Sequence, residues 1–529
     1  MNGPKTLVAL LERAHMTWPQ APAVRDGTCR WDFAALADRV ERLAEGLFAI
    51  GVQPGERVAV VARNRADTVA LYFAAARLGA VLVPLNYRLS GAELGWILGH
   101  CPPRVLCIER DFAARIPAED LARIPANGRL IWDGARPGWQ PFEGLLGTPC
   151  RAGREGRDAA SAIAEASGPA VQMYTSGTTG RPKGALLSHG NILSLTEAWV
   201  QDMHLTAELS RFLQVTPLFH VGGMLMVMST VSAGAELWLL PEFDPVAAID
   251  TLTRGRITHT LMVPAMVRWC LLDPHMGERR FPDLELMVYG AAPMPVSLLI
   301  QAMATFECRF LQGYGLTESA GVLLVLRPED HAMDPDEAPP ERIASAGKAV
   351  GCSEVQVVDH LGQPVAPGTV GEIVARGPNL TIGYYSDPEA TAQAFEGGWF
   401  HTGDLARIDA EGYVYVVDRS KDMILVGGEN VYPREIEDVL MAHEAVADAA
   451  VIGIPHDVWG EQVHALVVPR TEVGFPGERA MIRYCRQTLA NFKCPARIEL
   501  RDELGRNAAG KLQKPLLREP YWAGHSRLV

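Results

Sequence analysis

The segment Tyr174-Thr-Ser-Gly-Thr-Thr-Gly-Arg-Pro-Lys-Gly184 places the tightest constraint on this chain. It follows an apolar run, residues 170–173, that reads as a buried strand. Its glycines let the backbone curl and turn N–H groups toward an anion. Ser176, Thr178 and Thr179 add hydroxyl donors, and Lys183 adds a positive charge. Those are the parts needed to hold a triphosphate at the end of a strand. Pro182 interrupts the Gly-Lys-Ser/Thr order of a Walker A loop, so the run belongs to a different phosphate binder. The plain alternative is a Gly/Ser/Thr surface linker.

The chain around this loop alternates helix-like and strand-like patterns. Residues 32–50 carry Phe33, Leu36, Val40, Leu43 and Leu47 at helical spacing, and Gly51 supplies a stop. Residues 57–62 and 80–84 read as strands flanking a helix over 66–78. This predicts an α/β fold with a large layered N-terminal domain. Residues 147–168 and 327–340 read as loops. From Asp422 onward the texture changes to short strands (451–454, 463–468, 497–500) with a helix over 479–489. This predicts a smaller, mobile α+β domain. The expected division is 1–418, a hinge at 419–421, and 422–529.

Composition narrows the function. Acidic residues outnumber basic ones, 62 to 49, for a net charge of −13. Such a surface repels nucleic-acid backbones, and no nucleic-acid partner is expected. Nine cysteines without a CxxC pair suit reduced thiols in a cytoplasmic protein and give no zinc spacing. The most membrane-like stretch, 221–240, is broken by glycines, serines and Glu236, and reads as a buried helix and strand. No integral membrane segment is expected. The terminal Ser-Arg-Leu-Val places a peroxisome-like tripeptide one residue short of the end, where it does not act as an address.

The phosphate-loop run resembles that of the adenylate-forming superfamily, which includes AMP-forming acyl- and aryl-CoA synthetases, peptide-synthetase adenylation domains and beetle luciferases. Further segments resemble the family's motifs in order, over about residues 31–514. The resemblance implies that Thr175, Ser176, Gly177, Thr178, Thr179, Gly180 and Lys183 hold phosphates. Gly290, Ala291 and Ala292 would lie along adenine. In Gln312-Gly313-Tyr314-Gly315-Leu-Thr317-Glu318, Tyr314 would stack on adenine, Thr317 would touch the α-phosphate and Glu318 would hold Mg²⁺. Asp404, in Trp399-Phe-His-Thr-Gly-Asp404, and Arg419 would bind the ribose. Lys421 would be the hinge, and Gly427 and Gly428 would line a pantetheine tunnel. Lys511 would reach the carboxylate and α-phosphate, although Ala509 stands where relatives carry Ser or Thr.

These parts imply a two-step reaction. ATP turns a carboxylate into an acyl-adenylate and releases pyrophosphate, by positioning and charge stabilisation and without a protein nucleophile. CoA then displaces AMP. Only 18 residues follow Lys511 (529 − 511), too few for a fused carrier domain, so free CoA is the expected acceptor. Pro217-Leu-Phe-His220-Val221-Gly222-Gly-Met224 resembles the acyl-pocket segment, and no Arg or Lys occurs from 219 to 240. This favours an apolar acid, whether fatty, aryl or alicyclic, with His220, Val221, Gly222, Met224 and Met228 at the pocket. The competing readings are an acyl-AMP ligase serving a carrier protein, a luciferase-like oxygenase and a non-catalytic nucleotide-binding relative. A monomer and a homodimer both remain open.

Overall fold

A computed structural model describes residues 3–27, 29–147, 165–175, 182–333, 340–471, 473–506 and 512–523. Two large sheets dominate the N-terminal part. One has nine strands, and six of them run parallel: Arg309–Tyr314, Leu286–Gly290, His259–Met262, Arg211–Gln214, Glu236–Leu239 and Pro22–Arg25. The other has eight strands and centres on Arg57–Val61, Val81–Leu85 and Val105–Glu109. Helices cover these strands, so their sequences are continuous apolar runs instead of alternating ones.

The helices form for local reasons. Asp32 caps Phe33–Ala49 by accepting from the Ala35 N–H at 2.7 Å. Phe33, Leu36, Val40, Leu43 and Leu47 make its buried stripe. The helix Ala66–Arg77 is buried along almost its whole length, between sheet and neighbouring helices. The most membrane-like stretch forms the buried helix Val221–Ala233 and the strand Glu236–Leu239. Gly234 turns the chain between them at φ 72°, where a Cβ would stand 2.5 Å from the Trp18 ring. Among the described residues no helix is long and apolar enough to cross a membrane.

Asn64 joins the two sheets. It is buried, and its amide donates to the carbonyls of Thr216 and Leu240, each at 3.1 Å. Its Oδ1 accepts from the Leu218 N–H at 2.8 Å. Asn64 lies just past the strand Arg57–Val61, and its partners lie just past the strands Arg211–Gln214 and Glu236–Leu239. The carboxyl ends of the two sheets are therefore fixed to each other.

A third, antiparallel sheet carries Glu354–Val358, Val370–Arg376, Phe400–Ile408 and Val414–Arg419. The small C-terminal unit is a five-stranded sheet. Its long hairpin, Val446–His456 with Gly460–Pro469, extends well beyond the short apolar cores read at 451–454 and 463–468. Main-chain pairing continues there through Pro455, His456, Glu461 and Gln462, which carry no apolar signal. Arg497–Leu500 adds the expected strand, parallel to the second arm. The helix expected over 479–489 is Glu478–Cys485 and turns its buried Met481 and Cys485 inward. An apolar cluster running from Ile424 to Ile498 forms this unit's own core. Of the two expected loops, 148–164 and 334–339 lie outside the described residues, and Pro328–His331 makes a short helical turn.

Replacing Asn64 with Ala strands the Leu218 N–H and the Leu240 carbonyl, while the Thr216 carbonyl keeps the Gln214 amide as a donor. At about 1–3 kcal/mol per buried unsatisfied group, a loss of a few kcal/mol is expected in urea unfolding. A second prediction concerns pH. His189 is 2 % exposed, accepts from the Leu7 N–H, and burial pushes its pKa down to about 4. In the unfolded chain it takes up a proton near 6.5. Its contribution is thus fully present above about pH 6.5 and is lost as pH falls toward 4. His189→Gln keeps an acceptor without the titration. The stability difference between variant and wild type is therefore expected to shift in favour of the variant over that window.

Candidate active site

The carboxyl ends of both large sheets, the third sheet and the C-terminal unit enclose a cavity of about 710 Å³. Open sheets of parallel strands bind ligands at this edge. Thr175 and Lys183 reach it from facing positions on the hairpin of strands Pro169–Thr175 and Lys183–Ser188. Ser176, Gly177, Thr178, Thr179 and Gly180, which come between those two strands in sequence, lie outside the described residues.

Glu318 sits in the short turn Thr317–Ser319 and, like Thr317, lines the cavity. Its main-chain carbonyl accepts from the Thr381 N–H at 2.6 Å. Its Oε1 accepts from the Tyr384 hydroxyl at 2.9 Å. The Lys183 ammonium stands 5.1 Å from the centre of the same Tyr384 ring. Tyr384 thus joins the acidic and basic groups of the rim. Burial and the Glu318 carboxylate push its pKa upward, so the phenol stays a donor. The sequence reading missed this residue. Its signal is slight, an aromatic pair in Gly383-Tyr384-Tyr385. Only the pairing of that strand with Ala185 and Leu186 brings it here.

A second network lies beside the first. The Tyr314 hydroxyl donates to Asp404 Oδ2 at 2.6 Å, and Arg419 Nε meets Asp404 Oδ1 at 3.1 Å. Burial, then the Asp404 charge, holds the Tyr314 pKa well above its usual value. Arg419 faces the cavity, whereas Tyr314 and Asp404 stand behind it. Gln312, Gly313 and Gly315 are likewise absent from the cavity lining, as are Gly290, Ala291 and Ala292. Gln312 is turned to the Tyr289 hydroxyl. Gly290 is required by close approach: a Cβ there would stand 2.1 Å from the carbonyl oxygen of Gly313 on the next strand. The strand segment before Asp404 is held by Glu372, which accepts from the Gly403 N–H at 2.9 Å and pairs with His401 Nδ1 at 2.8 Å. Glu372 is a further residue that sequence reasoning missed.

Lys421 lines the cavity, and burial followed by the nearby Arg419 charge lowers its pKa. Its carbonyl accepts from Arg518, which also pairs with the buried Asp422 at 3.1 Å. Lys511 lies outside the described residues, but Arg506 and Gln513 on either side of it line the cavity. The C-terminal unit therefore closes over the site. Gly427 and Gly428 form the turn between Ile424–Val426 and Glu429–Val431 and do not reach the cavity.

His220 and Val221 line the cavity as expected, together with Phe219. Gly222 and Met224 do not. Met224 and Met228 are fully buried in the main core, which corrects the expectation that they form a pocket wall. The helix Val221–Ala233 lies between the helices Leu7–Thr17 and His189–Met203, and only its start reaches the opening. No group of three or more His, Cys, Asp or Glu able to hold a metal occurs among the described residues. The cavity instead combines several cations with the carboxylates of Glu93, Glu318 and Glu372, of which Glu93 is taken up in a helix cap and Glu372 by His401 and Gly403.

Comparison with known proteins agrees with this geometry. Residues 11–385 match the model of the AMP-binding enzyme family, and residues 435–511 match that of the AMP-binding enzyme C-terminal domain. The chain is 37 % identical to a feruloyl-CoA synthase of Amycolatopsis sp., over 97 % of this chain and 98 % of that one. It is 34 % identical to a fatty acid–[acyl-carrier-protein] ligase of Streptomyces coeruleorubidus, over 97 % and 95 %. It superimposes with a TM-score of 0.82 on the o-succinylbenzoate CoA synthetase of Bacillus subtilis in complex with its acyl-adenylate intermediate. That match has 29 % identity and covers 96 % of this chain and 97 % of that one. With the glycine-rich hairpin, the tyrosine-linked rim and the closing C-terminal unit in one arrangement, the chain belongs to the AMP-binding, adenylate-forming family of acid–thiol ligases.

Proposed function

We propose that this protein activates a compact apolar carboxylic acid with ATP and transfers the acyl group to CoA. The observation that carries the reading is the single rim on which Lys183, Glu318 and Arg419 face one cavity, fixed by Tyr384 and by Tyr314 with Asp404. Lys183 and the segment from Ser176 to Gly180 hold the β- and γ-phosphates. Thr317 stands at the α-phosphate. Arg419 takes the ribose from the cavity side, while Asp404, Tyr314 and the segment Gly290 to Ala292 meet the nucleoside beyond the cavity lining, as the family resemblance implies. The Glu318 carboxylate fits a Mg²⁺ ion, which keeps water and phosphate oxygens as most of its ligands. When bound, that ion supplies charge neutralisation on the phosphates. Adenylation needs no general base, because the attacking carboxylate is already ionised. The protein's work is to align it with the α-phosphate and to stabilise the charge that builds there.

The chain divides at 418, with a hinge at 419–421 and the C-terminal domain from 422. The separate core from Ile424 to Ile498 supports this boundary. Arg506 and Gln513 at the cavity support an adenylation-competent orientation, which brings Lys511 to the carboxylate. Rotation about Lys421 withdraws that lysine and brings Gly427 and Gly428 to the pantetheine arm.

The acid is apolar because Leu85, Leu89, Ile97, Phe219 and Val221 supply the non-polar lining beside His220. A compact acid is favoured because Met224 and Met228, behind Val221, belong to the buried core and add nothing to the cavity lining. An aryl or alicyclic acid fits better than a long fatty chain. The similarity to a carrier-protein ligase makes acyl-AMP transfer to a carrier the second reading.

A screen of fatty, aryl and alicyclic acids with ATP, Mg²⁺ and CoA, read by mass spectrometry, is expected to yield an aryl- or alicyclic-CoA with AMP. Acyl-AMP accumulating without thioester would replace this reading by the carrier-protein one. Lys511→Ala is expected to abolish adenylation and spare thioester formation from supplied acyl-AMP. An equal loss in both half-reactions would refute the two-orientation assignment. Tyr384→Phe removes a hydrogen bond to a charged group, worth about 1.5–3 kcal/mol. It should slow adenylation about tenfold to a hundredfold, with the melting temperature little changed. An unchanged rate would show that the Glu318 orientation does not need this phenol.

A further inference from the structure

A second cavity, of about 560 Å³, lies at the far edge of the nine-stranded sheet and shares no lining residue with the first. We propose that it binds an organic anion, a carboxylate or phosphate head on a small apolar body, between Arg25, Arg30 and Trp238. The hairpin of strands Pro22–Arg25 and Arg30–Asp32 puts Arg25 and Arg30 directly opposite each other. Like charges facing across two strands destabilise the pair unless something neutralises them.

Glu236 offsets only part of the charge on Arg25. Neither arginine has a carboxylate within ion-pair distance among the described residues. The two nearest acids are engaged elsewhere. Asp26 accepts from the Cys29 and Ala66 N–H groups, and Glu236 pairs with Arg211 at 3.3 Å. Arg25 is also held in place. On the neighbouring parallel strand its register partner is Trp238, and its guanidinium lies 3.9 Å from the centre of that ring. Burial and then the Arg30 charge lower the Arg25 pKa, a strain that an anion would relieve. An ordered cation beside a free, exposed one gives a two-point grip on a carboxylate or phosphate.

The remaining lining sets the body of the ligand. Leu213, Leu239 and Leu240 form an apolar floor next to the Trp238 ring. The cavity opens at the carboxyl ends of Pro22–Arg25 and Glu236–Leu239, the edge at which parallel sheets hold ligands. Its volume falls in the ordinary range for small-molecule sites, about 300–1,000 Å³.

The test reads Trp238 itself. The full chain is labelled with 5-fluorotryptophan, and the Trp238 signal among the 11 tryptophans is assigned with Trp238→Phe. Phenyl phosphate, benzoate and inorganic phosphate are then titrated by ¹⁹F NMR. A saturable shift of the Trp238 signal with phenyl phosphate or benzoate is expected, and the better of the two identifies the head group. Arg30→Gln, at an exposed position that folding tolerates, should weaken binding about tenfold, the loss of one charge-assisted contact. Arg30→Lys should retain most of it. No shift with any of the three probes would overturn the assignment. So would equal affinity in wild type and Arg30→Gln.

Discussion

The site depends on the registration of two sheets at one edge. Each large sheet is parallel at its centre, and each therefore offers its loops at its carboxyl ends. Two such edges make one cavity only if they cannot slide past each other. Asn64 prevents that with three hydrogen bonds across the junction, one of them to Leu218, immediately before the cavity residues Phe219, His220 and Val221. These bonds are buried, so breaking them cannot be offset by water. A single amide thus places the rim at Phe219 to Val221 from one sheet against the hairpin of Thr175 and Lys183 from the other.

Much of the fold could be read from the sequence because its local and global signals agree. The helix Phe33–Ala49 has its apolar stripe and its glycine stop where the pattern puts them. Buried strands such as Arg57–Val61 announce themselves as apolar runs. The long hairpin of the C-terminal unit was underestimated because its outer pairs are held by main-chain hydrogen bonds, and those leave no mark in the side chains. Apolar patterning also misled at Met224 and Met228. A methionine on a helix reads the same whether it faces a pocket or a core, and here the neighbouring helices decide for the core.

The site was legible in its motifs and illegible in its connections. Lys183, Glu318 and Arg419 could be placed from the segments around them. Tyr384 and Glu372 could not, because each acts at a partner far away in sequence: Tyr384 at Glu318, and Glu372 at His401 and Gly403. Their positions arise from strand pairing, which brings Gly383 and Tyr384 against the strand Lys183–Ser188. A motif records the groups that meet a ligand. The groups that orient them are scattered, and a single sequence gives little reason to single them out.

Charge carries the argument one step further. The chain as a whole is acidic, with a net charge of −13, yet its proposed co-substrates are anions. A negative surface slows their approach, so the cavity must supply its own attraction. Lys183, Arg419, Lys421 and Arg506 concentrate positive charge there, in a partly enclosed space where fields are screened less than at the surface. Their mutual repulsion has a cost. The lowered pKa of Lys421, caused by burial and then by Arg419, shows that cost within the chain itself. A polyphosphate would relieve it. Binding of the nucleotide and docking of the C-terminal unit should therefore favour each other, because Arg506 comes from that unit and the negative charge it meets comes from the ligand.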